Sequence, residues 1–536
     1  MTRLLFASFL LLSITFVSVD ALKILVISPV FGRSHMQLMG KLADLYASNG
    51  HEVVFFEPEI ISNEPILTFE PSKLARVIKK KKSWESPNAF HDLIYKAWTV
   101  DHNKDVGMAW LTDFMHAVSN SCRDILSDEI LLKKLRDEQF DIGVAEYLTV
   151  CPYALYRKIG IQKYITVSAT PLGAGFGMIF GIPAIPSLAI NPEFITVPYE
   201  PASFMFRLSN VMTFIRETVT IGDLFMNSII KTVNEHYPDM DLENVITNSS
   251  YVFINANEHI EFVKPQPLKY VNIAGIGVPK AKPLPEDYQK FMDGAKDGVI
   301  LISFGSSPLS MLMPPVVKQS FLNAFDNFPK VKFILKHENS SDNIAAGHSN
   351  VLTRQWIPQV DIMNHKNLIG FISHGGMNSL IESSVYGVPT ICIALFGDQT
   401  RNCLMSQNRG ISIPLNKMEL TTESITNALR ELIQNKKYLN KARSIGKMIK
   451  KAPMSAEDRV IKYTNFAAEF DVSESLDDPA RKLNMIQFYN LDVFGLFFLA
   501  ALVVLVACFV LIKKLFSLVR CVLKCCKSDA SKPKSE

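Results

Sequence analysis

The body of this sequence lacks a surplus of basic residues. Across 536 residues, 56 Lys and Arg stand against 52 Asp and Glu, which gives a net charge of +4. The last 24 residues hold seven basic and two acidic side chains, so the chain before Lys513 carries a net charge of about −1. Nucleic-acid binding needs a clustered basic face, so we expect no nucleic-acid partner. The length and the 48% hydrophobic composition predict two or three globular domains.

The sequence also lacks the spacings of two common kinds of site. The body contains four cysteines: Cys122, Cys151, Cys392 and Cys403. Their spacing is not that of a zinc site, and the sequence does not show which of them pair. A dinucleotide-binding oxidoreductase would need Gly-x-Gly-x-x-Gly after the first strand, where residues 28–35 contain Gly32 alone. That class of enzyme is excluded.

Two long apolar segments raise the mean hydropathy to +0.14. Residues 1–21 combine Arg3, an apolar run and the small side chains of Val19 and Ala21, which predicts a signal peptide cleaved after Ala21. Residues 493–512 are 20 residues without a charge and span about 30 Å as a helix, the thickness of a bilayer core. They predict a transmembrane helix, and the alternative for such a segment is a buried core helix.

The flanks of the second apolar segment predict its orientation. Lys513 and Lys514 follow it, so the positive-inside bias places the basic tail 513–536 in the cytosol and the body in the lumen. Lys532 and Lys534 resemble a dilysine retrieval signal for the endoplasmic reticulum. Two Asn-Ser-Ser sequons are candidate glycosylation sites in a lumenal body: Asn248 and Asn339. We therefore expect a single-pass type I protein of the endoplasmic reticulum membrane.

The body begins with a strand-helix-strand pattern. Residues 23–28 predict a buried strand, Ser34 an N-cap, 35–48 a helix and 51–56 a second strand, an alternation typical of a parallel sheet. Residues 140–145 predict a further strand of the same sheet. The lysines of 79–82 are interpreted as the solvated face of a helix. This first domain is predicted to cover 22–278.

A second series of strands follows a Pro-rich linker. Strands are predicted at 299–304, 331–335, 368–373 and 388–394, within a second domain that covers 286–470. Strand 368–373 runs directly into His374-Gly375-Gly376 and a helix that carries Asn378 and Glu382 on one face. Free N–H groups at such a helix N-terminus attract phosphate, and glycines let the phosphate approach the backbone. This region is predicted to be an anion site.

Two further segments extend the predicted anion site. Ser306 lies in a turn of small residues after strand 299–304, and Trp356 with Gln359 offers an aromatic face and an amide for stacking on a base. Together with 371–379, Glu382, 387–389 and 395–399, this pattern resembles the donor signature of the UDP-glycosyltransferase family, which includes the UDP-glucuronosyltransferases. The resemblance covers nearly the whole chain. Ala394 stands where the family usually has Pro.

The resemblance implies an α/β GT-B fold, with two Rossmann-like domains that face a cleft and a C-terminal transmembrane helix. It implies that Trp356 stacks on uracil, Gln359 contacts the uridine and Glu382 holds the ribose. The diphosphate and sugar contacts that it implies are Ser306, His374, Asn378 and Ser379 for the diphosphate, and Asp398 and Gln399 for the sugar. UDP-sugar is a co-substrate in this interpretation, and no cofactor or metal is expected.

His35 is the candidate general base, because it lies at the carboxyl end of the first strand, where ligands of open α/β sheets collect. Glu146 ends strand 140–145 and stands where the family usually has Asp, so it is predicted to orient His35. The expected reaction is inverting transfer, by base-assisted attack on the anomeric carbon opposite UDP.

The acceptor and the sugar are less closely defined by the sequence. The apolar stretches 175–182 and 183–201 predict a pocket for a small lipophilic acceptor with a hydroxyl or carboxyl group, as in detoxification. UDP-glucuronate and UDP-glucose both stay open as donors, because Lys264 stands where glucuronosyltransferases tend to have Arg, which binds carboxylates in a bidentate fork. The alternative function is a non-catalytic, membrane-anchored protein that binds sugar nucleotides or lipophiles. The oligomeric state also stays open, a homo-oligomer included.

Overall fold

A computed structural model describes residues 21–61, 67–85, 91, 94–100, 108–171, 185, 187–188, 199–221 and 227–529. The chain forms two compact units, a main body that ends at Asp477 and a C-terminal unit from Asp478 onward. Almost all of the predicted signal peptide lies outside the described residues, as do most of the apolar stretches 175–201 and the predicted retrieval signal at Lys532 and Lys534.

The first half of the main body contains a seven-stranded sheet in the order β3-β2-β1-β4-β5-β6-β7. All neighbouring strands are parallel, and Ile24 of β1 pairs with Val53 of β2 on one side and with Ile142 of β4 on the other. The strands are β1 Lys23–Ile27, β2 Glu52–Pro58, β3 Arg76–Lys80, β4 Ile142–Glu146, β5 Tyr164–Ser168, β6 Tyr251–Ile254 and β7 Tyr270–Asn272. The helices are α1 Arg33–Ser48, α2 Met108–Leu126, α3 Glu129–Asp137, α4 Cys151–Ile159, α5 Phe204–Ile221, α6 Asn227–His236 and α7 Leu242–Thr247.

The second half contains a six-stranded parallel sheet in the order β10-β9-β8-β11-β12-β13. The strands are β8 Val299–Ser303, β9 Lys332–Lys336, β10 Val351–Arg354, β11 Leu368–Ser373, β12 Thr390–Cys392 and β13 Ser412–Pro414. The helices are α8 Glu286–Asp293, α9 Pro315–Asp326, α10 Gln359–Met363, α11 Met377–Tyr386, α12 Gln399–Asn408, α13 Thr422–Gln434, α14 Lys437–Lys450 and α15 Ala456–Glu469. Each sheet is parallel, and helices connect most of its successive strands. This arrangement confirms the predicted pair of Rossmann-like folds.

The last helix of the main body returns to the first sheet. Val460 and Ala467 of α15 are fully buried in the core formed by β1, β4 and α1. The hydroxyl groups of Tyr46 and Thr464 also lie 2.9 Å apart. The predicted second domain, 286–470, therefore contains a helix that packs on the first sheet, and the domain boundaries themselves stay predictions.

Two local predictions in the first half are wrong. Gly32, not Ser34, is the N-cap of α1, because its extended backbone (φ −146°, ψ 124°) lets its carbonyl accept from the Met36 N–H at 3.0 Å. The lysines of 79–82 were expected on a helix, yet Lys79 and Lys80 end strand β3. This strand lies at the edge of the sheet, where charged side chains are tolerated and protect the exposed backbone from further pairing.

The C-terminal unit contains α16 Met485–Phe488 and the long helix α17 Leu491–Asp529. Residues Leu491–Lys524 of α17 are long and apolar enough to cross a membrane, and the most apolar stretch of 18 residues within them has a mean hydropathy of 3.1. The helix continues well beyond the predicted span 493–512. Its length and composition fit the predicted transmembrane helix.

Candidate active site

The predicted base and its carboxylate meet at the carboxyl edge of the first sheet. His35 lies in the first turn of α1, which follows β1, and Glu146 is the last residue of the neighbouring strand β4. His35 Nδ1 lies 3.0 Å from Glu146 Oε1, and the other carboxylate oxygen accepts the Leu148 N–H at 2.9 Å. Glu146 is fully buried. This bond favours the tautomer with the proton on Nδ1, which leaves Nε2 able to accept a proton.

The predicted phosphate contacts lie at two turns of the second sheet. Gly376 is the N-cap of α11, and Gly375 has a φ of +79°, a conformation that favours glycine. The His374 ring lies between two glycines, since a Cβ on Gly305 or Gly376 would come within 2.8 or 2.4 Å of it. Ser306 follows Gly305 in the turn after β8. The backbone of both turns and the N-terminus of α11 therefore lie around the His374 ring, where their N–H groups can bind a phosphate.

His374 is held neutral in this environment. Burial and, to a smaller extent, the charge of Lys336 lower the pKa of its imidazole to about 4. Its Nδ1 has no hydrogen-bond partner among the described residues. A neutral imidazole can donate one N–H to a phosphate oxygen.

Two of the residues predicted for uridine, Gln359 and Glu382, are joined by a hydrogen bond. Gln359 begins α10, and its Nε2 donates to Glu382 Oε2 at 2.7 Å and to Ser379 Oγ at 3.4 Å. Trp356 is 68% exposed, an unusual fraction for so large an apolar ring. Burial raises the pKa of Glu382, and the Gln359 hydrogen bond opposes this shift. The structure therefore brings an exposed aromatic face close to an amide and a carboxylate, as base and ribose recognition require.

The predicted sugar contacts lie on the loop 395–399, called the sugar loop below. Gln399 Oε1 accepts the N–H groups of Leu395 at 2.8 Å and Phe396 at 3.1 Å, which closes the loop on itself. Burial raises the pKa of Asp398, whereas its hydrogen bond from Asn402 and the charge of His35 lower it. The charge of His35 thus acts on Asp398. His35 of the first half and Asp398 on the sugar loop of the second half are therefore within electrostatic reach of each other.

Sequence reasoning missed two lysines near these residues. Lys336 ends β9, its Nζ donates to the Gly305 carbonyl at 2.5 Å, and it lies 5.6 Å from the centroid of the Trp356 ring. Lys41 of α1 interacts electrostatically with Glu382, although burial lowers the pKa of its ammonium. Neither lysine belongs to a motif, so only the fold shows that they lie at the site.

Other contacts also join the two halves around the site. Asn255 at the end of β6 donates from Nδ2 to Asn378 Oδ1 at 3.5 Å. Arg401 of α12 forms a buried ion pair with Glu261, with Nη2 and Oε1 2.5 Å apart. Lys264 lies within electrostatic reach of the same carboxylate. The sugar loop and the start of α11 are thus supported from both halves of the main body.

Both cysteine pairs that the sequence left open are disulfides, Cys122–Cys151 and Cys392–Cys403. The second disulfide spans the sugar loop. A Cβ on Gly375 would lie 2.7 Å from Cys392 Sγ and 2.8 Å from Cys403 Sγ, so this disulfide also supports the phosphate turn. Asn402 strengthens the same contact, because its Nδ2 donates to the Gly375 carbonyl at 2.9 Å.

The two candidate glycosylation sites lie at turns. Asn248 is exposed and follows α7, and the carbonyl of the Asn339 side chain accepts from the Ser341 hydroxyl at 2.7 Å. Asn339 caps a short turn after β9, on the edge of the sheet that carries the donor residues. Glycosylation at either site stays a prediction.

Two parallel Rossmann-like sheets, each with predicted site residues at its carboxyl edge, form the GT-B fold of glycosyltransferases. A solved UDP-glucosyltransferase from Polygonum tinctorium has this fold, with a TM-score of 0.57 and 15% identity over 84% of this chain and 99% of its own. The chain belongs to the UDP-glucuronosyl and UDP-glucosyl transferase family, whose model matches residues 22–528.

Named relatives cover most of the chain. A Caenorhabditis elegans protein, ugt-48, whose name places it among the UDP-glucuronosyltransferases, is 29% identical over 88% of this chain and 90% of its own length. The rat 2-hydroxyacylsphingosine 1-beta-galactosyltransferase is 24% identical over 88% of this chain and 85% of its own length. The protein is therefore a UDP-glycosyltransferase, which sets aside the alternative of a non-catalytic binding protein.

Proposed function

We propose that this enzyme transfers glucose from UDP-glucose, with inversion, to a hydroxyl or carboxyl group of a small lipophilic acceptor, as in detoxification. The observation that carries the proposal is the His35–Glu146 pair, 3.0 Å apart and within electrostatic reach of Asp398 on the sugar loop. UDP-glucuronate is the second candidate donor. No metal is part of the proposed reaction.

His35 acts first as a general base in the proposed reaction. Its Nε2 takes the proton of the acceptor while the acceptor oxygen attacks the anomeric carbon of the sugar. The bond between that carbon and the diphosphate oxygen breaks, and UDP leaves with the bonding electrons. Glu146, already bound to Nδ1, stabilises the imidazolium that forms.

The departing diphosphate gains negative charge, and groups at the carboxyl edge of the second sheet can stabilise that charge. The N-terminus of α11 supplies N–H groups and the positive end of its dipole, and His374 supplies one N–H. Lys336 adds a cation near the Gly305 turn. These groups supply the stabilisation of the leaving group in the proposed reaction.

The charges near the sugar loop favour a neutral sugar. A glucuronate carboxylate needs a cation and would meet the carboxylate of Asp398. Arg401 is bound to Glu261, and Lys264 acts on that same carboxylate. The Lys417 ammonium donates to the Ala97 and Leu395 carbonyls. The family and its named members include glucuronosyl, glucosyl and galactosyl transfer, so membership alone does not select the sugar.

The disulfides support a lumenal location for the body. Disulfides form and persist in oxidising compartments such as the lumen of the endoplasmic reticulum. The apolar helix α17 fits a single membrane span, and the basic residues after it favour a cytosolic tail. A membrane anchor also places the enzyme where lipophilic acceptors concentrate.

The proposal is tested by offering UDP-glucose and UDP-glucuronate in parallel to microsomes that contain the protein, with phenols, steroids and carboxylic acids as acceptors. Microsomes from cells without the protein are the control. We expect transfer from UDP-glucose at a higher rate, and a β-linked product by NMR from the α-linked donor. An α-linked product would contradict inversion, and faster transfer from UDP-glucuronate would contradict the choice of sugar.

A further inference from the structure

A segment of the first half packs in the core of the second half. Residues 94–100, called the strap below, lie between β3 and α2 in the chain, yet Ala97 and Trp98 are buried among residues of the second sheet. The Trp98 ring meets the Phe304 ring edge to face, with centroids 4.8 Å apart. Its Nε1 donates to the Leu309 carbonyl at 3.0 Å. Phe304 and Leu309 flank the turn that carries Ser306.

The strap is also joined to the sugar loop through Lys417. Asn416 caps the short turn after β13 and places Lys417 as its first residue. The Lys417 ammonium donates to the Ala97 carbonyl at 2.7 Å and to the Leu395 carbonyl at 2.5 Å. Leu395 is the residue whose N–H is bound by Gln399. One half-buried cation therefore connects a segment of the first half to the first residue of the sugar loop.

We propose that Lys417 is a positioning residue for the donor sugar, and that it sets the sugar loop against the strap. The inference rests on the proposed function, because it assigns the loop 395–399 to the sugar. Ala97 and Leu395 are almost fully buried, so their carbonyls would lose their charged partner in a dry place if the ammonium were removed. The loop would then relax, and Asp398 and Gln399 would lose their positions.

The uridine end of the donor gives an internal control. Trp356 precedes α10, Gln359 begins α10 and Glu382 lies on α11. None of the three belongs to the sugar loop. A positioning role for Lys417 therefore affects the affinity for UDP-sugar and leaves the affinity for UDP unchanged. If Lys417 had a merely structural role, its substitution would weaken the binding of UDP and of UDP-sugar together.

The experiment measures the dissociation constants of UDP and UDP-glucose by calorimetry on the purified full-length protein in detergent. For Lys417→Met, we expect the UDP-glucose dissociation constant to rise about tenfold or more, because two hydrogen bonds to a charged donor are lost. The UDP dissociation constant should change less than about twofold. Lys417→Arg keeps donors for both carbonyls and should restore most of the affinity. Lys447→Met, at an exposed position on α14, is the matched control and should behave as wild type.

A second variant tests the other end of the strap. Trp98→Phe keeps a ring against Phe304 and removes the N–H that binds Leu309, so we expect the dissociation constant of UDP-glucose to rise more than that of UDP, by a smaller factor than in Lys417→Met. If Lys417→Met no longer binds UDP, Trp98→Phe is the variant that tests the inference. The inference is overturned if UDP and UDP-glucose weaken equally in the variants that still bind UDP, or if neither changes. If wild type binds UDP and no UDP-sugar, the proposed function itself fails.

Discussion

His374 is a single residue whose ionisation links the donor site to stability. Burial holds its pKa at about 4, below the value of about 6.5 in an unfolded chain. The unfolded state therefore binds the proton more readily, so the contribution of His374 is fully present above pH 6.5 and is lost as the pH falls through about 4. The shift corresponds to roughly 3 kcal/mol at most. We expect the thermal midpoint to fall between pH 7.5 and pH 5, and to fall less in His374→Gln. An equal fall in both proteins would contradict the assignment.

Trp356 gives a second prediction at the scale of one residue. Stacking of a base on an aromatic ring contributes about 1–3 kcal/mol, so Trp356→Ala should weaken UDP binding by roughly 5- to 150-fold. Trp356→Phe should retain most of the affinity because it keeps an aromatic face. Calorimetry with UDP checks both variants. Unchanged binding in Trp356→Ala would mean that the exposed ring has another role.

The residues of the site differ in how far the sequence could predict their positions. His35 follows one strand that the sequence indicates clearly and Glu146 ends another, and the fold places their side chains 3.0 Å apart. Their catalytic roles stay predictions. Lys336 and Lys41 could not be predicted, because each reaches the site through packing between segments distant in the chain. No local pattern of residues encodes such a contact.

At the scale of elements, the disulfide Cys392–Cys403 supports both the sugar loop and the Gly375 turn. It closes a short loop with a sequence separation of 11 residues, so its loss should lower the free energy of unfolding by roughly 2–3 kcal/mol. The double variant Cys392→Ser with Cys403→Ser should also raise the KM for UDP-sugar. Steady-state kinetics and thermal unfolding check this, with Cys508→Ser as the control. Wild-type KM and stability in the double variant would contradict the role of the disulfide.

The helices and strands could be predicted where an apolar run has clear ends in the sequence. Strand β11 has the predicted bounds, because a continuous apolar run ends abruptly at polar and glycine residues. Strand β3 was not predicted, since Arg76–Lys80 carries three basic residues and pairs with β2 only at the sheet edge. Pairing with β2, which the local composition of β3 does not indicate, decided that element. The disulfide pairing depended on the fold in the same way.

At the scale of the whole molecule, the topology is a prediction that protease can test. The body should be shielded inside sealed microsomes, and only the tail after Ile512 should be accessible from outside. We expect protease to remove a C-terminal epitope and to leave the body intact until detergent is added. Digestion of the body in sealed microsomes would contradict the lumenal location.

The central claim is that the base lies in the first half and the donor site in the second. The most direct test measures turnover and UDP-sugar affinity together in His35→Ala, with Glu146→Gln as the companion variant. We predict that His35→Ala lowers turnover by about 10²- to 10⁴-fold while the dissociation constant of UDP-sugar stays nearly constant. Glu146→Gln should lower turnover less, because it keeps a hydrogen-bonding group. Retention of more than about half the turnover in His35→Ala, or a parallel loss of donor affinity, would contradict the account.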